Sequence, residues 1–156
     1  DASEYILQAV EEIRALSKRL NSAIVKTVGL GQSISDVCRN MKQFNDIDVT
    51  INIDETIIDK LTQEQQLVVF RIIQEQSNNI IKYSRASSAS ITLSELNNQC
   101  NLVISDNGIG FNPQQTPQGI GLSNIYERTR YYNGTVEIRT APGKGCSLEV
   151  RIPVLD

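Results

Sequence analysis

Three polar segments whose residues could bind a ligand or take part in chemistry interrupt the apolar pattern in the second half of the chain. The first lies in a predicted helix and has six consecutive polar residues, Gln74 to Asn79. Glu75 and Asn79 are four residues apart and therefore share a helix face, and Lys82 follows three residues later on the same side. A carboxylate, an amide and a cation on one face suit the binding of a charged ligand. A solvated helix face would give the same pattern, so this segment alone decides nothing.

The second polar segment is ISDNGIGF, residues 104–111, which ends a predicted strand. Asp106 at the strand end can accept a hydrogen bond from a flat amino-bearing ring. Gly108 and Gly110 allow the backbone to approach a ligand closely or to adopt a positive φ. An ordinary glycine turn with an Asx motif would give the same residues, so a lone D-x-G-x-G is weak evidence.

The third polar segment is QGIGLSNI, residues 118–125, where Gly119 and Gly121 stand at the start of a predicted helix. Glycines at this position leave N–H groups of the helix N-terminus open to a phosphate. A glycine-rich helix entry without a ligand is the alternative.

The composition excludes several other kinds of site. The 156 residues contain no histidine, which excludes histidine-activated nucleophiles and histidine-ligated metals. The formal net charge is −3 and no long basic block occurs, so we do not expect nucleic acid as a partner. The three cysteines are widely spaced, which predicts neither a disulfide framework nor a zinc site and fits a reducing, cytoplasmic setting. No apolar run approaches the roughly 20 residues of a membrane span.

The N-terminal region is predicted to be helical. Apolar residues recur every three or four positions from Ile6 to Val28, which indicates an amphipathic helix of about seven turns. Such a length favours a partner helix, in the same chain or in a second copy. GLGQ, residues 29–32, interrupts the pattern, which then resumes as far as Phe44. Because the chain begins at Asp1 inside this pattern, we expect it to be a fragment of a longer protein.

The remaining sequence predicts strands and helices in mixed order. Thr62 with Gln65 three residues later is a capping-box signal for a helix of about twenty residues, and a further helix is predicted from Leu122 to Tyr132. Alternating patterns and turn signals predict five strands at residues 48–54, 88–96, 100–106, 135–140 and 146–153. This combination predicts an α+β fold, a two-layer sandwich with the helices on one face of a mixed sheet.

The order of the three polar segments resembles a known family. An E-x-x-x-N helix, then D-x-G-x-G after a strand, then a loop ending in G-x-G-L is similar to the ATP-binding domain of the GHKL superfamily, which includes gyrase, chaperone, histidine kinase and mismatch-repair ATPases. RIIQEQSNNIIKYSRAS, DNGIGF, GIGLSNIYER and GTVEIRTAPGKGCSLEVRIP resemble sensor histidine kinases of the nitrate-sensor type. The resemblance runs from about Leu61 to Pro153 and implies a Bergerat-type fold, with a mixed five-stranded sheet.

The resemblance also implies a role for each matched residue. Asn79 would coordinate Mg²⁺, and Asp106 would bind the adenine amino group. Glu75 stands where ATPases of the superfamily carry a water-activating glutamate, and Lys82 would contact a phosphate. The other candidates would shape the adenine pocket or present backbone to the phosphates: Gly108, Gly110, Gly119, Gly121 and Leu122. The loop of residues 111–118 would be a mobile lid.

At the level of function, the resemblance implies binding of Mg-ATP and transfer of its γ-phosphoryl group to a histidine, with a response regulator as the next recipient. Residues 1–30 resemble the second helix of a dimerisation and phosphotransfer hairpin, and residues 31–156 would be the ATP-binding catalytic domain. The acceptor histidine would lie upstream in a longer, homodimeric parent protein, whose membrane anchoring the sequence leaves open. The alternatives are an ATPase that uses Glu75 and a degenerate nucleotide-binding or scaffold module.

Three residues depart from the pattern of these kinases. Ser77 stands at a position that is usually apolar, Tyr83 at one that is often histidine, and Cys146 at one that is commonly threonine. The Ser77 departure is expected to loosen the packing of its helix. None of the three removes a predicted nucleotide contact.

Overall fold

The computed structural model describes residues 1–155. This part of the chain contains five α-helices and five strands in mixed order: α1 (Ala2–Val28), α2 (Leu30–Asn45), β1 (Asp48–Ile53), α3 (Glu55–Lys60), α4 (Gln63–Asn79), β2 (Ser88–Leu96), β3 (Gln99–Asp106), α5 (Ile120–Tyr131), β4 (Thr135–Thr140) and β5 (Cys146–Pro153). A π-helical segment, Ile80–Ser84, directly continues α4.

The strands form one five-stranded sheet in the order β1-β2-β3-β5-β4. The β1–β2 pair is parallel and the other three pairs are antiparallel, so the sheet is mixed. Every second residue of the central strands is buried, for example Ile91, Ile104 and Leu148, which lie side by side in the register. Helices α2, α4 and α5 cover this apolar face with residues such as Ile34, Ile73 and Ile125, which confirms the predicted α+β sandwich.

The two N-terminal helices differ in burial. Gly29 separates them with a φ of +86°, so the predicted interruption at GLGQ is a single residue and α2 begins at Leu30. Val25 is the only buried residue of α1, whereas α2 contributes Leu30, Ile34, Cys38 and Met41 to the core. The long N-terminal helix is therefore confirmed, and most of its length stands clear of the sandwich. No helix within residues 1–155 is long and apolar enough to cross a membrane.

Helix α4 begins as the sequence predicts. The Thr62 hydroxyl accepts a hydrogen bond from the Gln65 N–H at 3.2 Å, and Gln65 Oε1 accepts one from the Thr62 N–H at 3.1 Å. Gln65 is fully buried, and its Nε2 also donates to the carbonyl of Pro153 at 2.9 Å. This bond ties the start of α4 to the end of β5 and fixes the helix along the sheet.

Candidate functional site

Helix α4 places two residues of the first polar segment, Glu75 and Asn79, on one face. Glu75 and Asn79 lie one turn apart near its C-terminal end, and both are half-buried. The Asn79 amide donates through Nδ2 to Gln76 Oε1 at 3.2 Å, and Gln76 is itself buried. The amide group of Asn79 is thereby oriented, with its oxygen left as an acceptor. An amide oxygen of this kind is a suitable ligand for a hard cation such as Mg²⁺.

Lys82 lies in the π-helical segment and is exposed. Within residues 1–155 it takes part in no ion pair. The wider π-helical turn is held by Ser84, whose hydroxyl donates to the Ile80 carbonyl at 2.7 Å and accepts from the Ala86 N–H at 3.0 Å. The structure thus places Lys82 near Asn79 in the chain but does not bring its ammonium group into contact with the other candidates.

Gly121 brings the third polar segment against the first. A Cβ on Gly121 would overlap the Glu75 carboxylate and would lie 3.3 Å from Asn79 Oδ1. Because glycine lacks this atom, the backbone at the start of α5 lies directly over Glu75 and Asn79. Two segments separated by more than forty residues therefore meet at one place.

The N-terminus of α5 is open at this meeting point. Its N-cap residue is Gly119, which makes no side-chain cap hydrogen bond. The N–H groups of the first helical turn consequently lack a side-chain acceptor and carry the positive end of the helix dipole. A phosphate group near Glu75 and Asn79 could take this acceptor role. Leu122, in the same turn, is half-buried and packs against the core.

Asp106 ends strand β3 at a half-buried position. Burial raises the pKa of its carboxyl above the ordinary value of 3.8, and hydrogen bonds from the backbone N–H groups of Gly108 and Cys146 partly oppose this rise in pKa. The Gly108 N–H to Asp106 Oδ1 distance is 2.8 Å. Two backbone donors fix the orientation of the carboxylate, which can accept a further hydrogen bond from a ligand amino group.

Gly108 and Gly110 are required by contacts within the protein itself. A Cβ on Gly108 would overlap the carbonyl oxygen of Ser84, and the neighbouring Ile109 N–H donates to that same oxygen at 2.7 Å. Gly110 has a φ of +58°, and a Cβ there would overlap the carbonyl oxygen of Ala141. The second polar segment is therefore packed directly on the π-helical segment that follows Asn79.

Two positioning residues were missed in the sequence. Asn107 Oδ1 accepts hydrogen bonds from the N–H groups of Ser87 and Ser88, both at 3.0 Å, and its Nδ2 donates to Ser87 Oγ at 2.9 Å. Thr140 Oγ1 accepts from the Phe111 N–H at 3.2 Å and donates to the Gly145 carbonyl at 2.7 Å. An asparagine between Asp106 and Gly108 was a signal for such a clamp, whereas nothing around Thr140 in the sequence marks it.

The loop between the second and third polar segments is largely exposed. Residues 113–119 are all exposed, and the turn at its start rests on Asn112, whose carbonyl accepts from the N–H groups of Gln115 and Thr116. A groove of about 920 Å³ between α1, α2, α4 and α5 is lined by Glu75 but not by Asn79 or Asp106. Glu75 therefore lines that groove without Asn79 and Asp106, and the candidates do not line it together.

Within residues 1–155 no group of three or more His, Cys, Asp and Glu side chains could hold a metal ion. The oriented amide oxygen of Asn79 could supply one ligand only. The donor set therefore fits a magnesium ion that takes most of its remaining ligands from phosphate oxygens and water, as this ion commonly does.

Residues 64–156 match the family model described as "Histidine kinase-, DNA gyrase B-, and HSP90-like ATPase". The match contains all nine candidate residues and spans more than half of the chain.

Curated relatives and solved structures agree with this match. The chain is 30% identical over 148 residues to the sensor histidine kinase LiaS of Bacillus subtilis, covering 94% of this chain and 40% of the relative. It is 28% identical to the sensor histidine kinase MctS of Rhizobium johnstonii, covering 93% of this chain and 32% of the relative. It therefore spans two fifths or less of these relatives. The fold is similar to the blue-light activated histidine kinase EL346 of Erythrobacter litoralis, with a TM-score of 0.70 at 16% identity over 92% of this chain and 50% of that chain.

Proposed function

Because the chain belongs to the family of histidine kinase-, DNA gyrase B- and HSP90-like ATPases, we propose that it is the ATP-binding catalytic domain of a sensor histidine kinase. In this proposal it binds Mg-ATP and transfers the γ-phosphoryl group to a histidine outside the present sequence, from which a response regulator receives it. The names of the two curated relatives, both sensor histidine kinases, support this choice within the family.

One observation carries the proposal: the open N-terminus of α5 lies over Glu75 and Asn79 at Gly121. This arrangement provides unpaired N–H donors for phosphate oxygens beside an amide oxygen for a metal ion. Asp106, oriented by two backbone donors, would accept the adenine amino group, and Gly108 and Gly110 hold its segment in place. Lys82 is free to reach a phosphate.

Positioning and charge neutralisation would account for most of the catalysis. ATP supplies the phosphoryl group, and magnesium held at Asn79 would neutralise charge on its phosphate oxygens. Gly119, Gly121 and Leu122 would end the lid, residues 111–118, and present backbone to the phosphates. The lid would close over the nucleotide and exclude water. Glu75 lies near the phosphates in this arrangement, and its proposed role is to orient the reacting groups.

Helix α1 supports the proposed division of the chain at residue 30. Its apolar residues Ile6, Ile13 and Leu20 are more than 60% exposed, although they follow the spacing of a helix that packs against a partner. Residues 1–30 would be the second helix of a dimerisation and phosphotransfer hairpin, and residues 31–156 the catalytic domain. The first hairpin helix, with the acceptor histidine, would belong to the same longer, homodimeric protein.

Calorimetric titration with ATP, with and without magnesium, tests the nucleotide site. We expect binding that is strengthened by magnesium, weakened by Asn79→Ala and abolished by Asp106→Asn. Tyr131→Phe, an exposed position on α5 outside the site, is the matched control. Absence of binding to folded wild-type protein at millimolar ATP would contradict the proposal and favour a scaffold module.

A second measurement separates a kinase from a hydrolase. We expect the chain alone to hydrolyse ATP at the same low rate before and after Glu75→Gln, because no water-activating step is proposed for Glu75. Steady hydrolysis that depends on Glu75 would instead indicate an ATPase.

A further inference from the structure

A second site is indicated in the groove between α1, α2, α4 and α5, which has a volume of about 920 Å³. Its size lies within the range of ligand-binding clefts. Four cationic side chains and a single carboxylate line it: Arg14, Lys18, Arg71, Arg128 and Glu75. The cations come from three helices, so the excess of positive charge is produced by the tertiary fold and not by a basic run in the sequence.

These cations lack ordinary counter-charges. Within residues 1–155 none of the four forms a salt bridge. Arg71 is half-buried, and both its burial and the charge of Arg128 lower its pKa. Its guanidinium donates only to the Lys18 carbonyl, at a long 3.5 Å. Keeping two like charges close together in a partly desolvated groove disfavours the empty state.

The groove wall also contains a neutral polar side chain without a hydrogen-bond partner. Ser77 is 97% buried, lines the groove, and has a hydroxyl with no hydrogen-bond partner among the described residues. A buried hydroxyl without a partner costs free energy. The groove wall therefore contains an unsatisfied polar group in addition to its unpaired cations.

We propose that this groove is an anion-binding site beside the predicted nucleotide pocket, in which Arg71 and Arg128 bind a multiply charged phosphate group with support from Arg14 and Lys18. Planar guanidinium groups match phosphate oxygens with paired hydrogen bonds. A group of at least two negative charges fits four cations and one carboxylate better than a monoanion does. Asn79 and Asp106 do not line the groove, whereas Glu75 and Ile120 at the open start of α5 do. The groove therefore adjoins the phosphate end of the proposed nucleotide site, and binding to it has to be measured with the nucleotide pocket occupied.

The test is calorimetric titration of the whole chain with pyrophosphate in magnesium-free, low-salt buffer, in the presence of saturating ADP to occupy the nucleotide pocket. Arg71→Gln and Arg128→Gln are each expected to weaken pyrophosphate binding at least about tenfold, the loss typical of one hydrogen bond to a charged group. Arg130→Gln, an exposed position on the same helix as Arg128, is the matched control and should bind as wild type does.

Thermal unfolding gives a second readout. Arg71→Gln is expected to raise the unfolding midpoint in anion-free buffer, because it removes like-charge repulsion, and to reduce the gain in midpoint that pyrophosphate produces in wild type. Unchanged pyrophosphate affinity in both arginine variants would overturn the proposal. Binding that ADP or Asn79→Ala abolishes would also overturn it, since the probe would then occupy the nucleotide pocket. Equal affinity for succinate would overturn the assignment of a phosphate ligand in favour of a carboxylate.

Discussion

The two glycine-containing segments of the candidate site are held in different ways. Residues 106–110, the Asp106 segment, are fixed by a backbone hydrogen bond from Ile109 to the π-helical segment and by the Asn107 clamp. Both of their glycines face protein atoms that leave no room for a Cβ. Residues 111–121, which comprise the lid and the start of α5 and are here called the lid segment, are mostly exposed, and a Cβ on Gly119 would meet nothing within 4 Å. Only its last turn, at Gly121, touches Glu75 and Asn79.

This contrast assigns different physical tasks to similar residues. A group that recognises a rigid ring gains affinity when its geometry is fixed before binding, which suits the adenine contact proposed for Asp106. A segment that must admit and enclose a ligand needs few contacts of its own, so that it can move at little cost. Glycine serves close packing and a positive φ in the first segment and an open helix N-terminus in the second.

The largest expected effect comes from Gly110→Ala. The substitution places a Cβ at φ +58° and against the Ala141 carbonyl oxygen, so strain and overlap add. We expect a loss of about 3 kcal/mol in the free energy of unfolding, measured by urea denaturation. Gly143→Ala is the matched control, since its φ is +76° but its surroundings are open, and it should lose only about 1 kcal/mol. Equal losses would show that overlap contributes nothing.

Each of the two segments contains an asparagine whose side chain accepts backbone hydrogen bonds, Asn107 in the Asp106 segment and Asn112 in the lid segment, so the same substitution can be compared in both. Asn107→Ala removes three side-chain hydrogen bonds and is expected to cost about 2 kcal/mol, whereas Asn112→Ala in the lid segment removes one and should cost about 0.5 kcal/mol. Urea denaturation measures both. Hydrogen exchange of the Ser87 and Ser88 amides should also accelerate in Asn107→Ala alone. Similar costs for the two variants would contradict the distinction between a fixed and a free segment.

Much of this site could be predicted because each segment has a local signal. Asp106 ends an alternating strand, Glu75 and Asn79 share a helix face, and Thr62 with Gln65 is a capping box that the structure confirms. The strands were predicted within one or two residues because one face of the sheet is buried and the other is polar.

Other features depend on contacts that no local pattern encodes. Helix α3 was missed because its six residues are too few to show a period, although Asp54 caps it through the Thr56 N–H at 3.0 Å. The insertion of β5 between β3 and β4 follows from the packing of the whole sheet. The contact of Gly121 with Glu75 joins distant segments, and the charged groove arises only when three helices meet.

The pH dependence of the protein's stability distinguishes the effect of the Asp106 carboxyl on folding from its predicted role in binding. Burial raises its folded-state pKa, so the ionised form destabilises the fold, and stability falls as the pH rises from 3.8 through that higher pKa. Asp106→Asn should therefore raise the thermal unfolding midpoint at pH 7, by a smaller amount than Asn107→Ala lowers it. This gain in midpoint should shrink at pH 3.8 or below. Ser105→Asn on the same strand controls for the added amide. A gain independent of pH would exclude the carboxyl as its source.

The smallest effect is expected for Gly119→Ala in the lid segment. At φ −75° and in open surroundings, alanine suits the backbone and reduces the entropy of the unfolded chain, which stabilises the protein. Alanine is also a poorer N-cap than glycine, which destabilises α5 by a similar amount. The two effects oppose each other, so the free energy of unfolding should change by less than about 0.5 kcal/mol.

Gly121→Ala is the matched partner of that variant, two residues away in the same segment. Its Cβ would overlap the Glu75 carboxylate, which is the end of a flexible side chain and can shift, so we expect only about 0.5–1 kcal/mol of destabilisation. Urea denaturation of the pair therefore locates the boundary between free and packed backbone. If Gly119→Ala cost as much as Gly121→Ala, the backbone at Gly119 would also be packed. The freely exposed part of the lid segment would then be confined to residues nearer Asn112.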